Sequence, residues 1–97
     1  MTKADIVNEV AGMTGLSKVE VEVVVEGMMV SISDSLKRGE RVDLRGFGSF
    51  IIKQRSAREA RNPATSEIVK LKERHIPSFK VSKILKEEVN KSILRGF

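Results

Sequence analysis

The sequence predicts an α+β chain, with two N-terminal helices, short antiparallel strands that run out into an extended β-ribbon arm, and a short C-terminal helix. Three observations carry this expectation. Apolar residues recur at helical spacing as far as Gly39 and alternate after it. Turn-forming residues cluster at Gly46-Phe47-Gly48 and again at Asn62-Pro63-Ala64-Thr65-Ser66. Charge divides along the chain: residues 1–40 hold four bases (Lys3, Lys18, Lys37, Arg38) against seven acids, residues 41–97 hold fourteen against six, and the net +5 is therefore a −3 part joined to a +8 part.

The first helix is expected over about residues 3–14. Thr2 with Asp5 three residues on has the form of a capping box, Ile6, Val7, Val10 and Met13 follow at helical spacing, and Gly15 ends the run. Ser17 with Glu20 is a second capping box. Beyond it Val21, Val24, Val25, Met28, Ile32 and Leu36 mark one face of a helix of about five turns that Gly39 can close. The two helices make an αα-hairpin whose outer face is too acidic to lie on phosphates, so it is assigned to core and dimer contact.

After Gly39, Val42 and Leu44 alternate with Arg41, Asp43 and Arg45, and Gly46-Phe47-Gly48 turns the chain into a second strand. There Phe50, Ile52 and Gln54 fall on one face and Ile51, Lys53 and Arg55 on the other, because side chains alternate with period two. One face is core and the other partly basic. Within residues 54–66 the small apolar Ala57, Ala60 and Ala64 cannot build a core. Strand character returns at residues 68–72, so the chain runs out along 53–61, turns at 62–66 and comes back, reaching roughly 25 to 30 Å at about 3.3 Å per residue. Pro77 and Phe79 lead to a last helix with Ser82 as N-cap and Ile84, Leu85 and Val89 as its apolar stripe. The tail, residues 90–97, carries no clear signal.

At 97 residues the chain is one domain with a modest core, for which a partner chain would be a natural complement. Its 40% hydrophobic and 32% charged residues suit a folded, soluble protein, with no apolar run of membrane-spanning length and no secretion signal. The absence of cysteine excludes disulfides and thiolate metal sites and fits a cytoplasmic location. Enzyme signals are missing. His75 stands alone without a second ligand, and Gly46-Phe47-Gly48 is a turn lacking the third glycine and helix of a phosphate site, so neither catalysis, cofactor, metal nor small-molecule substrate is expected.

The arm is different. Lys53, Arg55, Arg58 and Arg61 line the outgoing strand and Lys70, Lys72 and Arg74 the return, opposed by Glu59, Glu67 and Glu73. A field so polarised favours an anionic partner, and nucleic acid is the commonest. Two blander origins stand beside this one: an edge hairpin that uses charge against aggregation, and plain turn chemistry at Asn62-Pro63. Against the first, a rigid apolar ring at the tip flanked by Arg61 and Asn62 suits insertion between base pairs from the acceptor-lined minor groove.

The runs Gly46-Phe47-Gly48-Ser49-Phe50, Arg61-Asn62-Pro63-Ala64-Thr65 and Ile76-Pro77-Ser78-Phe79 resemble, in order and spacing, the HU and integration host factor family of bacterial nucleoid proteins. The resemblance covers nearly the whole chain. It implies an HU/IHF-type domain over residues 1–97: a helical dimerisation part (1–40), a three-stranded antiparallel sheet with an extended arm (41–81, the arm about 53–74), and a C-terminal helix and tail (82–97), two copies forming an intertwined dimer. It further implies that the dimer binds and bends double-stranded DNA in the bacterial nucleoid, with low sequence specificity and without a cofactor. Carried over residue by residue, Pro63 would be the wedge with Arg61 and Asn62 beside it. Lys53, Arg55, Arg58, Lys70, Lys72 and Arg74 would follow backbone along the arm, and Arg45, Lys80, Lys83 and Lys86 would meet flanking phosphates. Phe47, Phe50 and Phe79 would be aromatic core where subunits interlock.

Three departures stand out from the family pattern. Ser66 occupies the place of a usual glycine after the threonine, implying a different turn or a strained residue. Ile51 puts an apolar side chain on a face often polar, and Val81-Ser82 replaces a Pro-Gly or Ser-Gly turn. Homodimer and heterodimer with a paralogue both remain open, as does a site-preferring role against general packing, of which the general one is favoured. The rival class is a helix-turn-helix regulator, whose recognition helix would carry Glu20, Glu22 and Glu26; a module for an acidic protein partner is the third.

Overall fold

The computed structural model describes residues 1–94 as three helices and five strands in the order α1 (Lys3–Thr14), α2 (Lys18–Lys37), β1 (Val42–Leu44), β2 (Gly48–Arg55), β3 (Arg58–Arg61), β4 (Ile68–Leu71), β5 (Arg74–Val81) and α3 (Lys83–Leu94). The chain groups into two compact units, divided between Ser35 and Leu36. No helix among the described residues is long and apolar enough to cross a membrane.

Both helical starts are built as their sequences indicate. At α1 the Asp5 N–H donates to Thr2 Oγ1 (3.4 Å) and the Thr2 N–H to Asp5 Oδ2 (2.8 Å). At α2 the Glu20 N–H donates to Ser17 Oγ (3.1 Å) and the Ser17 N–H to Glu20 Oε1 (3.4 Å). Each cap satisfies N–H groups that have no partner inside the helix and is worth about 1 kcal/mol. Gly15, at φ 76°, closes α1 by donating to the Ala11 carbonyl at 3.0 Å, in a conformation that costs most other residues. Lys3 on α1 pairs with Glu26 on α2.

Packing within the chain is sparse. Val7 and Val21 are the buried hydrophobic side chains among the described residues. Along the expected stripe of α2, Val25, Ile32 and Leu36 are half-buried, whereas Val24 is 64% exposed and Met28 51%. Part of the stripe is thus left exposed.

The sheet has the order β1-β2-β5, all antiparallel, and β2 pairs with β5 along its whole length from Gly48↔Val81 to Arg55↔Arg74. Paired residues share a face, so Val42, Leu44, Phe50, Ile52 and Phe79 lie on one side. Lys53, Arg55, Arg74 and Lys80 lie on the other, together with Ile51. The Phe79 ring sits 5.0 Å from Phe50 and 5.3 Å from Phe47, both tilted, the geometry in which aromatic quadrupoles attract. Gly48 is buried beneath this cluster. A Cβ there would fall 2.5 Å from Phe79 Cζ and 2.6 Å from the Lys80 carbonyl oxygen, so only glycine admits the ring. Pro77 is on β5, an edge strand, where a missing N–H is tolerated.

The arm departs from expectation in one respect. Its outgoing strand is not continuous over 53–61: β2–β5 pairing ends at Arg55↔Arg74 and β3–β4 pairing resumes at Arg58↔Leu71, leaving Ser56 and Ala57 on one side and Lys72 and Glu73 on the other outside the ladder. Equal numbers drop out on both strands, so the register carries through unchanged. Two like charges face each other at the last rung, and the small residues beyond it offer little cross-strand contact, which together weaken pairing there. Gln54 donates a side-chain hydrogen bond to Glu73 across the gap. The return strand ends at Leu71 rather than residue 72.

Ser82 caps α3, accepting from the Leu85 N–H at 3.1 Å. Helix α3 then runs through Asn90 to Leu94, so the stretch expected to be an unmarked tail is helical that far; residues 95–97 of that tail lie outside the described residues.

Candidate nucleic-acid interface

Four short rungs form the distal ribbon: Arg58↔Leu71, Glu59↔Lys70, Ala60↔Val69 and Arg61↔Ile68. Apart from the half-buried Ala60 and Leu71, every residue of β3 and β4 is exposed. Because side chains alternate, Arg58 and Arg61, three apart, point to opposite faces, with Glu59 and Lys70 on the Arg61 side. The bases of the outgoing strand therefore do not form a single row. Two flanks are charged.

The tip is a compact turn built around Asn62. Its N–H donates to the Glu67 carbonyl (2.8 Å), continuing the ladder, and its carbonyl accepts from the Ser66 N–H (2.7 Å). Its side-chain Oδ1 accepts from the Ala64 N–H at 2.9 Å, an Asx turn that wraps over Pro63. Pro63 is thereby placed at the corner of the turn and is exposed. Ser66 has φ 62° and is the non-glycine residue in the left-handed region among those described. The strained residue expected at this position is present, and it costs roughly 1 kcal/mol or more that glycine would avoid.

At the sheet end, Arg41, Asp43, Arg45, Ser49, Lys80 and Lys83 line an open groove. It faces the start of α3. Ser82 locks that corner to the β1–β2 turn, its N–H donating to the Phe47 carbonyl (2.9 Å) and its Oγ to the Gly46 carbonyl (3.0 Å). The first turn of α3 carries no acid and instead holds Lys83 and Lys86. Two cations at the positive end of a helix oppose its dipole, an arrangement that an anion relieves.

None of Lys53, Arg55, Arg58, Arg61, Lys70, Lys72, Arg74, Arg45, Lys80, Lys83 or Lys86 shares an ion pair with a described carboxylate, while Lys3, Arg38 and Arg41 do. All of these candidates are exposed except Arg74, which is half-buried at the root of the arm. The arm bases thus have no ion-pair partner among the described residues, although Glu59 lies opposite Lys70 in the register. Arg41, which the sequence reading did not single out, lines the groove as well. Its guanidinium is held by Asp43 Oδ1, from Nη2 at 2.8 Å and Nε at 3.2 Å, and Ser49 Oγ donates to the same oxygen at 2.6 Å. The Ser49 hydrogen bond first, and then Arg41, hold the Asp43 carboxyl below its ordinary value. His75 is exposed on β5, and no group of residues suited to a metal ion occurs among the described residues.

Comparison with known proteins gives one consistent result. Residues 1–90 match the family model described as bacterial DNA-binding protein. Integration host factor subunit beta of Marinobacter nauticus is 43% identical over 98 residues, covering 100% of both chains. DNA-binding protein HU of Thermus thermophilus is 40% identical and covers 94% of each. In three dimensions the chain is similar to that of an Anabaena HU–DNA cocrystal structure, with a TM-score of 0.84 at 34% identity over 92% of this chain and 97% of that one.

Proposed function

The chain belongs to the bacterial DNA-binding protein family of HU and the integration host factor subunits, a family of architectural proteins and not of enzymes, and on that premise we propose that it bends duplex DNA through the minor groove. Two copies act together, each laying one ribbon along the groove with Pro63 as the wedge, as minor-groove architectural proteins such as HU and IHF do. The observation that supports this reading best is the tip: an exposed proline at the corner of a ribbon whose basic residues have no carboxylate partners. The exposed Val23, Val24 and Met28 on α2 support pairing of chains, since contiguous exposed apolar surface marks interaction sites.

Two energies compete in such a complex. Bending a 20 to 30 base-pair site costs on the order of 1 to 6 kcal/mol, with a few more for each unstacked step. Counterion release offsets this. Contact with about eight phosphates would give log K a slope near −7 against log salt. Contacts led by the backbone carry little sequence information, so general binding in the nucleoid, inside the cytoplasm, follows.

The test is a random duplex of about 30 base pairs labelled at both ends and titrated with the protein at two salt concentrations. Anisotropy and end-to-end energy transfer should rise together and fall with salt. Wild-type binding without energy transfer would remove the bend, and Pro63→Ala bending as fully as wild type would remove the wedge.

A further inference from the structure

The last rung of the β2–β5 ladder sets two guanidinium side chains against each other. Arg55 and Arg74 are directly opposite in the register, on the face that carries Lys53 two residues inward. Opposite residues of an antiparallel pair have their Cβ atoms about 5 Å apart, so the like charges repel at close range. Lys72 falls on the same face by alternation. No described carboxylate forms an ion pair with any of these bases. The acid next in sequence, Glu73, belongs by alternation to the other face and accepts there from the Gln54 amide. Arg74 is half-buried, so water screens it less than it screens an exposed arginine.

Immediately beyond this rung the ladder lapses. Ser56 and Ala57 lie across from Glu73 and Lys72 in a register that Arg58↔Leu71 resumes unchanged, yet the pairs are not made. A tetrahedral oxyanion answers both features. It has oxygens enough to accept from two guanidinium forks at once, which turns the repulsion at the rung into a shared attraction. Chloride, a single atom, cannot match the forks.

We propose that Arg55 and Arg74 clamp one tetrahedral oxyanion, and that filling the clamp closes the ladder across Ser56 and Ala57. The ligand is a phosphate or sulfate group, taken from a free ion or from a phosphodiester. Closure makes the ribbon continuous from Gly48 to Arg61, so the anion stiffens the arm at its root. The inference does not depend on the minor-groove wedge, because the anion can be supplied without DNA.

The experiment follows amide hydrogen exchange of the whole protein at fixed pH and ionic strength, with chloride replaced stepwise by sulfate or by inorganic phosphate. Protection at the gap should rise as one plus the ratio of anion concentration to its Kd, about tenfold at ten times Kd. The gain should fall on Ser56 with Glu73 or on Ala57 with Lys72, since alternate pairs carry the ladder bonds. Inner rungs such as Ile51↔Ser78 should not follow. Sulfate also strengthens burial everywhere by its exclusion from protein surface, so an equal gain at all amides overturns the proposal, as does no gain at the gap.

Two variants separate the clamp from general stability. Arg74→Thr should raise gap protection already in chloride and abolish the response to sulfate, the reverse of what a merely weakened fold would show. Arg74→Lys keeps the repulsion but loses the fork, so the gap should stay open in chloride and respond less to sulfate. An unchanged response in both variants overturns the proposal. A last series adds a short random duplex before the sulfate. No further gain from sulfate then assigns the occupant to a phosphodiester of the DNA, and an undiminished gain assigns it to a free oxyanion.

Discussion

The inner and outer ends of the β-ribbon share one register but are held by different forces. At the inner end, Phe79 stacks between Phe47 and Phe50 over a glycine that nothing larger can replace, and Ser82 ties the turn to α3. At the outer end, the side chains of the rungs from Arg58 to Arg61 are exposed apart from the half-buried Ala60 and Leu71. The inner end is complete as folded. The outer end is held by backbone pairing and an Asx turn, and its basic side chains have no ion-pair partner among the described residues.

Substitutions can break this contrast, and the largest effect is expected inside. Gly48→Ala forces the Phe79 ring and the Lys80 carbonyl apart and should cost about 3 kcal/mol, seen as a lower Tm. A Tm within a degree of wild type would show that the aromatic cluster does not set the inner end. Outside, Ser66→Gly should stabilise the tip by roughly 1 kcal/mol by removing the left-handed serine, read as slower amide exchange at Ser66 and Glu67. Faster exchange would mean that the serine holds the turn.

Smaller effects sharpen the comparison. Arg74→Thr removes the like-charge rung opposite Arg55 and should strengthen pairing at the gap by about 0.5 kcal/mol, measured as amide protection at Ser56 and Ala57. Arg58→Ala should leave Tm alone and reduce the salt slope of DNA binding by about 0.9, one phosphate's worth; a lowered Tm with the slope intact would make Arg58 structural. The smallest concerns acid. Asp43 is held below its ordinary 3.8 by Ser49 and Arg41, so what it contributes is present above that pH and is lost as pH falls through the lower folded value. Asp43→Asn should abolish that part of the acid limb in a pH-dependent melting series, and an unaltered limb would show the exposed cluster to be energetically silent.

Much of this architecture was legible because it is locally encoded. Thr2 with Asp5, Ser17 with Glu20, and Ser82 each announce a helix start through a hydrogen bond to a residue three positions away, and all three bonds are present. Alternation located the strands and Asn62-Pro63 the tip. What escaped depended on residues distant in sequence. The break at Ser56-Ala57 follows from Arg74 lying across from Arg55, and the need for Gly48 follows from Phe79. Neither can be read from a window on one strand. Arg58 and Arg61 line the outgoing strand as expected, though their odd spacing puts them on opposite faces, and α3 outran expectation because nothing through Leu94 breaks a helix.

The interruption beside Arg55 also has a meaning for how such a chain can be altered. Since two residues are left out on each strand, removing or doubling that segment would shift the ribbon by a whole pleat period, and no side chain downstream would change face. Reach could be altered by about 6 to 7 Å while aim is kept. The arm is a lever whose length can be edited in even steps, so distance from sheet to tip can drift in evolution, or be set by an engineer, independently of what the tip presents.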